Sequence, residues 1–215
     1  MKLISSNKSK ALLFMMVMYN LFACSGSDST AEQTNNSVML SDNYYRDIYS
    51  WNEQGGLQQT RLGRGLNLGN YLEAPQEGLW TGGRLLVEED LQRIADAGFA
   101  TVRIPVRWPA HTEQTFPYNL DMSFIERVKE IVAWAQNAGL KVVLNVHHYT
   151  EMMDDPETAQ EAHIQRLLGI WQQICEEFPL SEYDKNSLIF ELLNEPNGSI
   201  DYEDWNNIIA RLLNL

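Results

Sequence analysis

Cysteines are scarce in this 215-residue sequence: there are only two, Cys24 and Cys175. Basic residues are also few, since 16 lysines and arginines accompany 29 acidic residues and give a net charge of −13. Such a surface repels a phosphate backbone, so we expect no nucleic-acid partner. The apolar stretch Ala11–Ala23 is too short to cross a membrane as a stable helix.

The first 23 residues have the features of an export signal. Three lysines within the first ten residues precede the apolar stretch Ala11–Ala23, as in signal peptides. The segment ends in Leu-Phe-Ala-Cys, which resembles the bacterial lipoprotein signal, where the cysteine is lipidated after cleavage. We therefore predict a signal peptide over 1–23 and an exported bacterial protein of the cell envelope, anchored to a membrane through a lipid on Cys24. Secretion after an ordinary signal peptide is the alternative. With Cys24 acylated, Cys175 has no disulfide partner and is interpreted as a small core residue.

A polar segment separates this signal from the globular part. Residues 25–37 are rich in Ser, Thr, Asn and Gly and lack apolar periodicity, which predicts a flexible tether over 24–40. The globular domain is predicted to cover 41–215. Its aromatic-rich beginning, Asn43–Trp51, is predicted to form a short helix.

Beyond residue 61, short apolar runs alternate with amphipathic segments. The runs predict strands at Leu62–Leu68, Thr101–Val106, Lys141–Val146 and Leu188–Leu193. The segments predict helices at Glu88–Ala97, Asp121–Ala138, Ala159–Phe178 and Glu203–Leu215. Near-continuous apolar strands are typical of a sheet covered on both faces, and strand–helix alternation indicates a parallel sheet. A (β/α)₈ barrel has eight such units, so we predict an α/β fold that is a TIM barrel truncated after about four βα units.

Polar residues follow all four predicted strands. They are Asn67 to Glu73 after the first, Arg103 to Trp108 on the second, Asn145 to Tyr149 on the third and Asn194 to Pro196 on the fourth. Taken singly, each group has a structural explanation: a tight turn for the first, an ion pair for Arg103 in the second, a hydrogen-bonding loop for the third and a strand terminus for the fourth. The carboxyl ends of parallel barrel strands meet at the catalytic face, so their shared position favours an active site. Trp108 is interpreted as a packing residue.

Glu195 has the chemistry that cleavage of a glycosidic bond requires. One carboxyl group donates a proton to the leaving oxygen, and a second attacks or activates water. In a regular strand, Glu191 and Glu195 lie on one face and Asn194 on the other. We therefore predict a local twist or bulge before Pro196 that turns both Asn194 and Glu195 toward the sugar. Glu191 lies deeper and is predicted to be a structural carboxylate, for which Arg103 is the candidate partner because its guanidinium binds carboxylates bidentately.

The four strand ends together resemble glycoside hydrolase family 5, which contains many cellulases and mannanases. The resemblance covers roughly residues 60–215 and rests on the segments Gly65–Glu73, Val102–Pro105, Asn145–His148 and Phe190–Pro196. It implies an enzyme that hydrolyses a polysaccharide such as β-glucan or β-mannan without a metal or cofactor.

The resemblance also implies individual roles. Glu195 matches the catalytic acid/base, Asn194 the residue that binds the sugar 2-hydroxyl, and Arg103 the residue that orients the nucleophile. His147 matches a histidine that binds the sugar at the cleavage point. Three further residues match positions that contact sugars along the cleft: Asn70, Glu73 and His148.

The family's nucleophilic glutamate lies near the end of the seventh strand, beyond the four units predicted here. We therefore predict a retaining endo-β-1,4-glucanase of which this chain holds the acid/base and not the nucleophile, so that the chain alone is inactive. A β-mannanase is a second hypothesis, because Asn70 and Glu73 are compatible with either sugar. A third hypothesis is a non-catalytic carbohydrate-binding lipoprotein, and a fourth is an exo-glycosidase of a related barrel family.

Overall fold

The computed structural model describes residues 62–154, 160–179, 181–183 and 186–215. The predicted signal peptide, the lipidation site at Cys24, the tether and the helix at Asn43–Trp51 lie outside the described residues. The described strands are β1 Gly65–Asn67, β2 Thr101–Val106, β3 Lys141–Val146 and β4 Leu188–Glu191. The described α-helices are α1 Glu88–Asp96, α2 Met122–Asn137, α3 Thr150–Asp154, α4 Gln160–Glu177 and α5 Tyr202–Leu212. None of them is long and apolar enough to cross a membrane.

The four strands form one parallel sheet in the order β1-β2-β3-β4. The predicted α/β class and parallel sheet are confirmed. Nearly every residue of β2 and β3 is buried, as expected for strands that are covered on both faces, whereas the three residues of β1 at the edge of the sheet are exposed. The register sets Asn67 beside Arg103 and Asn145 beside Glu191. Four polar residues therefore meet near the carboxyl end of the sheet.

Helix boundaries agree with the predictions to within a few residues, and local capping explains them. The Asp121 side chain accepts hydrogen bonds from the backbone of Ser123 and Phe124 and so begins α2. Asp201 begins α5 through bonds of 2.8 and 2.9 Å from the backbone N–H groups of Glu203 and Asp204. These side chains satisfy donors that the first turn of a helix leaves free. Helix α5 ends at Leu212 rather than at the predicted residue 215.

Two strands are shorter than predicted. β1 covers three residues of the predicted 62–68, and β4 ends at Glu191 rather than at Leu193. The chain still follows β3 after this point, since the Asn194 N–H donates to the Val146 carbonyl at 2.9 Å. The short helix α3 was not predicted. Cys175 is buried on α4 among apolar residues, which confirms its interpretation as a core residue.

Candidate active site

Arg103 on β2 is the centre of a hydrogen-bonded cluster at the carboxyl end of the sheet. Its Nε and Nη2 atoms donate to the two carboxylate oxygens of Glu191 on β4, at 2.7 and 2.6 Å. The same guanidinium donates to Asn67 Oδ1 at 3.0 Å and to Asn194 Oδ1 at 2.8 Å. The predicted pairing of Arg103 with Glu191 is confirmed, although both side chains are only partly buried. One planar cation on β2 thus holds residues from the ends of β1 and β4 in fixed positions.

Asn145 on β3 also belongs to this cluster. Its side chain is completely buried, and Nδ2 lies 3.2 Å from Glu191 Oε1 and 3.2 Å from His147 Nδ1. The backbone carbonyl of Asn145 accepts a bond of 3.1 Å from the indole N–H of Trp108. Trp108 is fully buried, which confirms that it packs in the core.

His147 is held as a neutral ring. Its pKa is lowered to about 3, mainly by burial and to a smaller extent by the neighbouring His148 and the positive charge of Arg103. A protonated imidazole loses hydration in this position and is repelled by the guanidinium. Above about pH 3, His147 therefore offers one N–H donor and one nitrogen acceptor.

An aromatic group extends the site beyond His147. The His147 and His148 rings meet edge to face with centroids 4.4 Å apart, and Trp80 meets His148 edge to face at 5.8 Å. Trp80 comes from the β1–α1 loop and is 46% exposed. Glu77 fastens this loop through two bonds of 2.9 Å from Arg127 on α2. Trp80 was missed by the sequence interpretation.

Asn70 and Glu73 lie in the same loop and contact each other. The Asn70 N–H donates to Glu73 Oε1, and Glu73 is only 5% exposed. Asn70 has a φ of +72°, a left-handed conformation that asparagine tolerates better than most residues. Gly69 sits between this pair and the arginine cluster: a Cβ there would lie 3.0 Å from Asn67 Nδ2 and 3.4 Å from Glu73 Oε1. The Gly-x-Asn-x-Gly segment is thus strand β1 followed by a tight turn that begins at Gly69 and brings these polar groups together.

Glu195 follows the cluster on an exposed turn. Its φ of +46° is left-handed, and Asn197 Nδ2 donates to its carbonyl oxygen at 2.6 Å. The early end of β4 and this φ supply the predicted departure from strand geometry. At Gly198 a Cβ would lie 2.2 Å from the Met153 carbonyl oxygen, so only glycine allows the turn to pack against α3. A non-glycine residue held in a left-handed conformation, such as Glu195, is strained, and such strain is concentrated at functional sites.

The structure brings Arg103, Asn194 and His147 into one hydrogen-bonded cluster, to which His148 is joined by its ring contact. Three cluster members belong to the sequence motifs but were not predicted to bind or orient substrate: Asn67, Asn145 and Glu191. The register of the strands places them together, since Asn67 pairs with Arg103 and Asn145 with Glu191. This register is the signal that could have identified them. Within the described part of the chain, no group of three or more His, Cys, Asp or Glu residues is arranged to hold a metal ion.

Known proteins are similar to this chain over the part that contains the strands and the site. The model of the family Cellulase (glycosyl hydrolase family 5) covers residues 64–214. Endoglucanase H of Acetivibrio thermocellus is 37% identical over 155 residues, which are 72% of this chain and 16% of that protein. The crystal structure of endoglucanase Cel5A from Thermotoga maritima is similar with a TM-score of 0.65 and 42% identity, over 72% of this chain and 47% of that one.

Other solved structures of Cel5A from Thermotoga maritima are complexes with cellobiose, in a mutant form, and with mannotriose. Both match this chain at 42% identity with a TM-score of 0.65. This chain covers 47% and 50% of two of these Cel5A structures, and thus spans at most about half the length of its relatives. The barrel fold is confirmed by these neighbours. The chain belongs to glycosyl hydrolase family 5, the cellulase family.

Proposed function

We propose that the protein is a retaining endo-β-1,4-glucanase and that Glu195 is its catalytic acid/base. The observation that carries the proposal is the Arg103 cluster, which ends at Asn194, directly before the exposed Glu195. The similar proteins named endoglucanases support the glucanase assignment. Sites for chemistry in such barrels lie at this end of the strands.

In the proposed reaction, protonated Glu195 donates its proton to the leaving glycosidic oxygen. A second carboxylate attacks the anomeric carbon as the carbon–oxygen bond breaks, and a glycosyl-enzyme forms. The Glu195 carboxylate then removes a proton from a water molecule that attacks the anomeric carbon, while the bond between that carbon and the second carboxylate breaks. Two inversions give overall retention, which requires the two carboxyl groups to lie about 5–5.5 Å apart.

The hydrogen bonds of Arg103 support its role in orienting the nucleophile. A guanidinium has five N–H donors, and the bonds to Glu191, Asn67 and Asn194 use four of them. We assign the fifth, on Nη1, to the nucleophilic carboxylate. Because the other four bonds fix the plane of the guanidinium, this donor has a defined direction before substrate arrives.

Asn194 has a corresponding assignment. Its Oδ1 atom accepts from Arg103, so its Nδ2 group remains as the donor for the substrate. A donor beside the acid/base suits the sugar 2-hydroxyl, where hydrogen bonds strengthen in the transition state.

The nucleophile is expected near the end of a seventh strand, and the described residues contain four strands. We therefore propose that residues 41–215 alone are inactive and that the whole barrel is the enzyme. Purified 41–215 is expected to release no reducing ends from carboxymethyl cellulose. Hydrolysis that is lost with Glu195→Gln would contradict this proposal.

The acid/base assignment is tested with the full-length protein that contains this chain. Glu195→Gln is expected to lower kcat/KM on barley β-glucan by about 10²- to 10⁴-fold. With an aryl cellobioside, whose leaving group needs no acid, azide should restore turnover and give a β-glycosyl azide. The matched control is Glu89→Gln, an exposed glutamate on α1, which should leave activity unchanged. Absence of azide rescue, or an α-linked azide product, would sink the assignment.

A β-mannanase is the second candidate, because one solved structure that matches this chain is a Cel5A complex with mannotriose. Glucose and mannose differ at the 2-hydroxyl, which we assign to Asn194. Asn70, Glu73 and His148 are assigned to sugars further along the cleft, together with Trp80. Comparing kcat/KM of the full-length protein on carboxymethyl cellulose and on soluble mannan decides between the candidates.

Localisation follows from the predicted signal. We propose an exported protein that is anchored to a membrane through a lipid on Cys24. Cys24→Ser is expected to move the protein from the detergent phase to the aqueous phase after Triton X-114 partition. A non-catalytic carbohydrate-binding lipoprotein would show the same partition and would bind β-glucan, but it would release no reducing ends.

A further inference from the structure

We propose that Asn145 is a positioning residue that fixes the tautomer of His147, so that Nδ1 accepts a hydrogen bond and Nε2–H is left to donate to a sugar hydroxyl. The part concerning the sugar rests on the proposed function. The tautomer itself is a property of the protein without substrate. Asn145 carries out this task because Glu191 determines which way its carboxamide faces.

The first step is the charge state of Glu191. Both of its carboxylate oxygens accept short bonds from the Arg103 guanidinium, at 2.6 and 2.7 Å. A carboxylate engaged in this way is ionised and has only acceptor atoms to offer. Any polar atom that lies against it in a stable arrangement is therefore a donor.

The second step is the orientation of the Asn145 carboxamide. The atom 3.2 Å from Glu191 Oε1 is Nδ2. The reversed amide would place Oδ1 against a carboxylate oxygen, so two acceptors would repel each other in a buried position. The side chain is also held in place because the residue is fully buried in β3. The amide orientation is thus dictated by Glu191.

The third step carries this orientation to His147. An amide nitrogen has two N–H groups, and the second one faces His147 Nδ1 at 3.2 Å. Nδ1 must then be the unprotonated nitrogen of the ring. Because burial keeps His147 neutral, with a pKa of about 3, its single proton resides on Nε2. The order of control runs from Arg103 through Glu191 and Asn145 to His147.

The remaining polar atom of Asn145 supports a functional reason for this residue. Oδ1 is buried and has no hydrogen-bond partner among the described residues. An apolar side chain at this position in β3 would avoid that cost. Asparagine is therefore explained by what its Nδ2 group does for its two neighbours.

The test uses the full-length protein labelled with ¹⁵N-histidine, and the His147 signals are assigned by their loss in His147→Gln. At pH 7 without substrate, long-range ¹H–¹⁵N spectra should show a pyridine-type shift for Nδ1 and a pyrrole-type shift for Nε2. Asn145→Asp replaces the donor by an acceptor and should reverse the pattern, so that Nδ1 carries a proton. The matched control is Asn119→Asp, an exposed asparagine that also donates to a glutamate, Glu113, at 2.8 Å.

A protonated Nδ1 in the wild-type protein overturns the proposal, as does an unchanged pattern in folded Asn145→Asp. If Asn145→Asp does not fold, Asn145→Leu removes the donor without adding charge, and the Nδ1 signal should move toward that of an unbonded nitrogen. An unmoved signal would overturn the proposal. Asn145→Asp should also lower kcat/KM by about 10- to 100-fold, as expected when the partner that orients a functional histidine is lost. Normal tautomers in an inactive protein would implicate the proposed function instead.

Discussion

Two arginines of this chain are buried to different depths and do different things. Arg103 is partly exposed and binds a carboxylate and two side-chain amides at the strand ends. Arg166 on α4 is only 2% exposed and donates to the backbone carbonyls of Pro109, Thr112 and Glu113 at 2.6, 2.7 and 3.0 Å. The first arginine organises side chains for chemistry, and the second fastens the loop after β2 to a helix.

The difference lies in the partners. Carbonyl groups of a loop have fixed directions, so Arg166 ties a helix to the backbone of that loop and takes no part in the cluster at the strand ends. A carboxylate and amides can be exchanged by mutation and have further atoms to offer. We therefore expect changes around Arg103 to alter activity and changes around Arg166 to alter stability, and four experiments in the full-length protein test this contrast.

The largest effect is expected for Glu191→Ala. It leaves the Arg103 guanidinium without its carboxylate and removes the acceptor that orients Asn145. Breaking a buried pair costs about 3–5 kcal/mol, and we expect the lower end because both side chains retain some exposure. Misplacement of Asn194 and His147 should also lower kcat/KM by about 10²-fold or more. Chemical denaturation and kinetics measure both; unchanged kinetics in a destabilised protein would show that the cluster is only structural.

The strand ends show how much of this site the sequence predicts. The bounds of β2 and β3 were predicted correctly because both are covered on two faces and end where polar residues begin. The end of β4 was predicted two residues too late, since Leu192 and Leu193 are apolar and buried although they are not paired in the strand. Hydropathy reports burial and does not distinguish a buried strand from a buried turn.

Contacts between segments that are distant in the sequence could not be predicted. Trp80 meets His148 across two loops, and no local pattern relates these positions. Arg166 has the sequence pattern of a solvent-facing residue on an amphipathic helix, but its acceptors come from the loop after β2. The Arg103–Glu191 pair was predicted because a carboxylate deep in the fourth strand needs a basic partner, and the guanidinium of Arg103 binds carboxylates bidentately. Parallel topology thus predicts which end of the sheet carries the site, but it does not predict the contacts between the loops around that site.

The next largest effect is expected for Arg166→Met, which should lower stability and leave activity unchanged. Methionine keeps most of the buried volume but leaves three carbonyl acceptors without their donor. We expect a loss of about 2–4 kcal/mol in the free energy of unfolding. At a temperature where the variant is folded, kcat/KM should stay within about twofold of wild type. A large drop in kcat/KM without a loss of stability would contradict the contrast between the two arginines.

The pH dependence of stability sharpens the contrast further. His147 has its pKa lowered to about 3 in the folded protein, mainly by burial, whereas in the unfolded chain it is about 6.5. The unfolded chain therefore binds more protons between these values, so this contribution to stability is complete above pH 6.5 and is lost as the pH falls toward 3. His147→Gln should flatten this part of the Tm profile. His163→Gln, near Arg166, is the comparison variant, and an equal flattening by it would contradict the assignment to His147.

The smallest effect is expected for Tyr149→Phe, under Arg166. The Tyr149 hydroxyl lies 3.2 Å from His163 Nδ1, and its ring centroid lies 5.6 Å from the Arg166 guanidinium carbon. Burial raises the pKa of Tyr149 to about 12, so the hydroxyl stays protonated and has one proton for two neutral acceptors, His163 Nδ1 and the His163 carbonyl oxygen at 3.4 Å. Its removal should cost about 1 kcal/mol, because phenylalanine keeps the ring packing and the contact with the cation. Tyr149→Phe should leave kcat/KM unchanged although Tyr149 directly follows His148. If kcat/KM falls tenfold while Tm is unchanged, the Arg166 region acts on the histidines of the site, and the division between the two arginines is wrong.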